Sequence, residues 1–63
     1  MFNEYDVVRL RKPYLDKNLD AGAIGTILIV YDASPQAYEV EFCGSDGESI
    51  AVLTLHEEEL EPK

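Results

Sequence analysis

Residues Ala37-Tyr38-Glu39-Val40-Glu41-Phe42-Cys43 alternate strictly, with Tyr38, Val40 and Phe42 on one face and Glu39 and Glu41 on the other. A period of two is the signature of a strand with one face in a core and the other in water. Gly44-Ser45-Asp46-Gly47 follows and carries an Asp-Gly turn signal, and Glu48-Ser49-Ile50-Ala51-Val52-Leu53 returns after it as the partner strand. Together these predict a β-hairpin. Any fold open to the chain has to accommodate that unit.

Three further strands are expected around it. Val7-Val8-Arg9-Leu10 is a short β-branched run with Val8 and Leu10 on one face. Thr26 to Tyr31 is continuously apolar, which requires burial on both faces or a bulge that turns successive side chains. Gly22 and Gly25 mark a sharp bend before it, and Asp32-Ala33-Ser34-Pro35-Gln36 is a turn cluster after it. Residues 11–21 are polar and broken by Pro13, so they read as a long loop. Thr54-Leu55-His56-Glu57 fits a capping box for one helical turn, after which Leu60 anchors a last short strand and Pro62 is tolerated at an edge. The expected fold is all-β, a small five-stranded SH3-like barrel with one helical turn before the last strand, filling residues 1–63 as a single domain. Its expected core is Val8, Leu10, Ile27, Val30, Val40, Phe42, Ile50, Val52 and Leu60, with Tyr38 and Tyr31 in the core or at its rim.

A chain of 63 residues buries only about 60% of the surface its unfolded form exposes, so its stability is thin. Cys43 is the sole cysteine; no internal disulfide can form, and a reducing cytoplasm fits. The first residues lack the basic and apolar segments of a secretory signal, and no apolar run is long enough to span a membrane. A soluble cytoplasmic protein without membrane contact is the expectation.

The net charge of −8 is unevenly placed. Through Tyr31, Glu4, Asp6, Asp16 and Asp20 are matched by Arg9, Arg11, Lys12 and Lys17. From Asp32 onward, Asp32, Glu39, Glu41, Asp46, Glu48, Glu57, Glu58, Glu59 and Glu61 face Lys63 alone. Nucleic-acid binding needs a basic stripe that releases counterions, so direct contact with nucleic acid is disfavoured. A single-sign field instead steers encounter with an oppositely charged partner.

Gly22-x-x-Gly25-Thr26-Ile27-x-x-Val30 after Asp6-Val7-Val8-Arg9-Leu10 resembles the opening strands of KOW and other SH3-like barrels over about half the chain. That likeness implies RNA or ribosome contacts, but the chain lacks the basic residues these require. Nearly the full length is similar to a family of short bacterial proteins known as domain of unknown function 4926. The likeness is carried by Tyr5-Asp6-Val7-Val8-Arg9-Leu10, Gly25-Thr26-Ile27, Ala37-Tyr38-Glu39-Val40-Glu41-Phe42 and Ala51-Val52-Leu53-Thr54-Leu55. Some of its members sit beside toxin-like genes, which implies an antitoxin or immunity role.

No residue cluster commits to a chemistry, and no catalytic, cofactor or metal site is expected. His56 beside three glutamates has no indicated nucleophile or orienting acid, and reads as a solvated residue in a capped turn. Cys43 has no CxxC partner and acidic neighbours, so a packed or incidental role is expected. The Gly22-x-x-Gly25 spacing opens a strand, whereas a phosphate loop opens a helix. The Asp46-Gly47-Glu48 loop is too short for calcium. The candidate protein-binding residues are Glu39, Glu41 and Glu48, an acidic face brought together by the hairpin, and Tyr14, an aromatic in the long loop. A plain solvated face, and loop packing for Tyr14, are their bland counterparts. The resulting reading is a non-enzymatic interaction module that covers a basic protein surface such as a toxin's. The alternatives are a self-associating structural module forming a homo-oligomer, and a small-ligand or nucleic-acid-associated KOW-like module.

Overall fold

Val7–Leu10 (β1), Ile24–Tyr31 (β2), Ala37–Cys43 (β3), Ser49–His56 (β4) and Leu60–Pro62 (β5) form one antiparallel sheet in the order β4-β3-β2-β1-β5. The structure is a computed structural model and describes residues 1–44 and 46–63. β1 and β3 have the limits that their alternation predicts. The protein is all-β, and its strand order is compatible with the SH3-like arrangement expected from the sequence. The expected helical turn is present as a 3-10 turn at Glu57–Glu59, directly before β5.

Val8, Leu10, Leu19, Ile27, Tyr38, Val40, Phe42, Leu55 and Leu60 make up the core cluster. Tyr38 is fully buried, and Val30 packs against the cluster from its edge. Two expected core residues are not in it. Ile50 is 43% exposed and Val52 45%, because β4 packs inward through Ala51, Leu53 and Leu55. The physical reason is cross-strand parity: Val52 pairs with Glu41 and Ala51 with Phe42, and residues directly opposite one another share a face. Glu41 faces outward, so Val52 does too. Ile50 falls at a register shift between Ala51 and Ser49.

The apolar run of β2 is reconciled by a bulge. Ile27 pairs with Val40 and Ile29 with Glu39, leaving Leu28 as the extra residue. Beyond it Val30 turns inward beside Tyr38, while Ile29 and Tyr31 face out. The two glycines before this strand act differently. Gly22 has φ +91, the bend that was expected, whereas Gly25 lies within β2 and a Cβ there would stand 2.8 Å from both Phe42 and Val40 side-chain atoms. Gly25 is required for close approach of strand and core.

At the hairpin, the Gly44 amide donates to the Glu48 carbonyl (2.8 Å), the Gly47 amide donates to Gly44 (2.9 Å), and Gly47 has φ +85. Ser45 of that turn signal lies outside the described residues. The long loop carries a 3-10 turn at Leu15–Lys17 and a bridge between Tyr14 and Leu19, which drops Leu19 into the core.

Candidate functional site

β3 brings Glu39 and Glu41 to the outer face of the sheet, with the core residues Tyr38, Val40 and Phe42 behind them. Pairing fixes their neighbours. Glu41 lies between Val52 of β4 and Thr26 of β2, and Val7 of β1 continues that row. Glu39 lies between Thr54 and Ile29. The expected second acid on the adjacent strand is not there. Glu48 sits at the hairpin turn, where its carboxylate lies over Gly44, and Val52 and Thr54 occupy the positions opposite the two glutamates.

The two carboxylates are not equivalent. Oε1 of Glu39 accepts hydrogen bonds from Thr54 Oγ1 (2.7 Å) and the Tyr31 hydroxyl (3.2 Å). Burial, followed by this carboxylate, raises the Tyr31 pKa. Glu41 has no hydrogen-bond or ion-pair partner among the described residues. Around them Val7 (44%), Ile24 (40%), Ile29 (45%) and Val52 (45%) are exposed. The face is therefore apolar around two acids, with Arg9 and Glu61 side by side at its β1-β5 end. Counting pairs outward from Cys43 and Ser49 would set Val52 opposite Val40 in the core; the register shift between Cys43 and Phe42 reverses that parity and brings Val52 beside Glu41, a signal that the sequence does not carry.

Tyr14 does not join this face. It packs against the core, and its hydroxyl donates to Oε2 of Glu59. That hydrogen bond, followed by burial, pushes the Tyr14 pKa up to about 12. Loop packing is where the structure places it.

The acids of the 3-10 turn also have internal work. Glu59 Oε1 accepts the His56 amide at 2.8 Å, so the box closes between His56 and Glu59, two residues beyond the expected Thr54 and Glu57. Thr54 is still in β4 and spends its hydroxyl on Glu39. His56 Nδ1 is 3.1 Å from the Gln36 carbonyl, a contact in which Nδ1–H donates. His56 is thereby held against the turn before β3, half-buried. Glu57 accepts the Tyr38 hydroxyl and lies 3.2 Å from the Met1 ammonium. The Tyr38 hydroxyl bond is the main cause of the lowered Glu57 pKa.

An open cleft of ≈570 Å3 lies beside that turn, with Phe2, Leu60 and Pro62 among its apolar lining and Asp6, Glu58 and Glu61 among its acids. Arg11 stands in the same lining, so its charge is mixed. Cys43 is exposed at the end of β3, not packed. Among the described residues no group of three or more His, Cys, Asp or Glu side chains could hold a metal ion. Among the described residues no helix is long and apolar enough to cross a membrane.

A family model described as a domain of unknown function (DUF4926) matches residues 4–62. No curated protein and no solved structure gives a significant match.

Proposed function

The chain belongs to the domain of unknown function 4926 family, and we propose that it is a non-enzymatic interaction module whose outer sheet face docks a basic protein surface, as an antitoxin or immunity protein would dock a nuclease. The observation that carries this reading is Glu41, without a partner among the described residues and set in a row with Val52 on one side and Thr26 then exposed Val7 on the other. A solvated strand face needs no such apolar frame; an interface gains from it, because apolar contact supplies affinity while a charged centre selects the partner. The net charge of −8 adds long-range attraction toward a basic surface and rejects nucleic acid. A cytoplasmic setting is part of the same proposal and rests on the lone cysteine.

The test is to capture the partner from the native host by cross-linking, then measure its association rate with wild type and with Glu39→Lys/Glu41→Lys at low and high salt. The double variant associates more slowly, dissociates faster and loses salt sensitivity while keeping its melting transition. Equal rates and equal salt slopes for the two proteins would overturn the reading.

A further inference from the structure

The two edges of the sheet are unlike. β5 is three residues long and contains Glu61 and Pro62, a charge and a missing amide that discourage another strand from adding there. β4 is eight residues long, Ser49–His56, and contains no Asp, Glu, Lys, Arg or Pro. It is the outermost strand on its side, so its far edge has no strand partner among the described residues. In a chain with thirteen acidic residues out of 63, the longest open edge is the uncharged one. Natural sheets guard such an edge unless something pairs with it.

We infer that β4 pairs with β4 of a second copy, antiparallel about a two-fold axis perpendicular to the sheet. Such an axis keeps each face continuous, so outward residues must meet outward residues. A register centred on Val52 satisfies this: Val52 meets its own copy, and Ile50 meets Thr54. All three are β-branched, the type that packs best in cross-strand pairs. Charge selects the same occupant. A basic strand would find no carboxylate on β4, whereas β4 itself is neutral. Across the seam the Glu41 residues would be three strand spacings apart, about 14 Å, which exceeds the ~8 Å screening length of physiological salt. Self-pairing leaves the outer face open and doubles it, so this inference stands apart from the basic-partner reading.

Sedimentation equilibrium from micromolar to millimolar concentration tests the inference. Wild type should move from 7.1 kDa to twice that mass, more readily as salt is added; docking of a basic partner weakens with salt. Val52→Lys and Val52→Glu should each be monomeric, because like charges then face each other across the axis, and an equal mixture of the two should recover the dimer. Amide exchange on wild type gives a reading independent of substitution: alternate β4 amides should gain protection as concentration rises. A wild-type monomer throughout would overturn the inference and leave the edge to a strand from another protein. So would a dimer that both single variants retain, or β4 exchange that ignores concentration.

Discussion

The Tyr14 hydroxyl donates to Oε2 of Glu59 across 45 positions of sequence, while Oε1 of the same carboxylate takes the His56 amide. The Glu59 carbonyl also accepts the Arg11 amide at 2.9 Å. One residue thus joins the long loop, the end of β4 and the start of β5, the three segments that sheet pairing alone connects least.

Tyr14→Phe keeps the ring and removes the donor. It should cost about 1 kcal/mol, a normal net value for a half-buried hydrogen bond. The pH dependence has a definite sign. With its pKa pushed to about 12 from 10.0, folded Tyr14 holds a proton that the unfolded chain releases, so the stabilisation is complete below pH 10 and lost as pH rises toward 12. Thermal melts across that window should show a shallower decline for the variant. Some slope persists in it, because burial also raises the Tyr38 pKa.

Glu57 gives the opposite limb. Its pKa is lowered, first by the Tyr38 hydroxyl and then by the N-terminal ammonium, so its contribution is present above the unfolded carboxyl value and lost as pH falls through the folded one. Glu57→Gln, which can still accept from Tyr38, should have a flatter acid-denaturation profile below pH 4.5. An unchanged profile would mean that the Tyr38 contact does not favour the carboxylate.

The register of β4 is open to a paired substitution. Leu55→Ala should cost about 2–5 kcal/mol, since Leu55 is fully buried. Val52→Ala should cost under about 1 kcal/mol. Chemical denaturation of both variants measures the difference, and the reverse order would place the wrong side of β4 against the core. Gly25→Ala belongs to the same experiment: its methyl group would press on Phe42 and Val40, an overpacking that costs about 1–3 kcal/mol.

Within the acidic face, Glu41→Gln should slow partner association more than Glu39→Gln. Oε1 of Glu39 already takes the hydroxyls of Thr54 and Tyr31, which leaves one free oxygen for a partner's cation where Glu41 has two. Stopped-flow association with the captured partner separates the two, and equal slowing would show that the internal bonds of Glu39 do not restrain it.

How much of this was legible in the sequence depended on local contrast. β3 alternates charge with apolar bulk, and its limits and faces are those its pattern predicts. β4 reads Ile50-Ala51-Val52-Leu53, apolar at every position, so periodicity holds no vote and the pairing to β3 decides which residues turn inward. The capping box shows the same dependence. Thr54-x-x-Glu57 satisfies the local pattern, but the ladder from Glu39 to Thr54 and Ala37 to His56 keeps β4 extended, and the turn begins only where the ladder stops. For Tyr14 the sequence leaves an exposed contact and loop packing both open, because its acceptor lies 45 residues away, a distance across which spacing carries no information. Glu41 needed only the alternation to be placed, whereas its apolar frame required knowledge of three other strands.

β1 pairs with β2 on one side and with the three residues of β5 on the other. Every other pairing in the sheet joins consecutive strands, and of the two edge strands β5 has the shorter ladder, three pairs against the seven of β4, so β5 with its 3-10 turn is the segment that detaches most readily. Its release would open only the β1-β5 seam while the β1-β2-β3-β4 meander stays intact. Such sub-global opening lies well below the free energy of complete unfolding. The carboxylate of Glu59 then acts as a clasp: it sets how often the chain's last strand peels away, and with it the rate at which a protease can reach that end of an otherwise folded molecule.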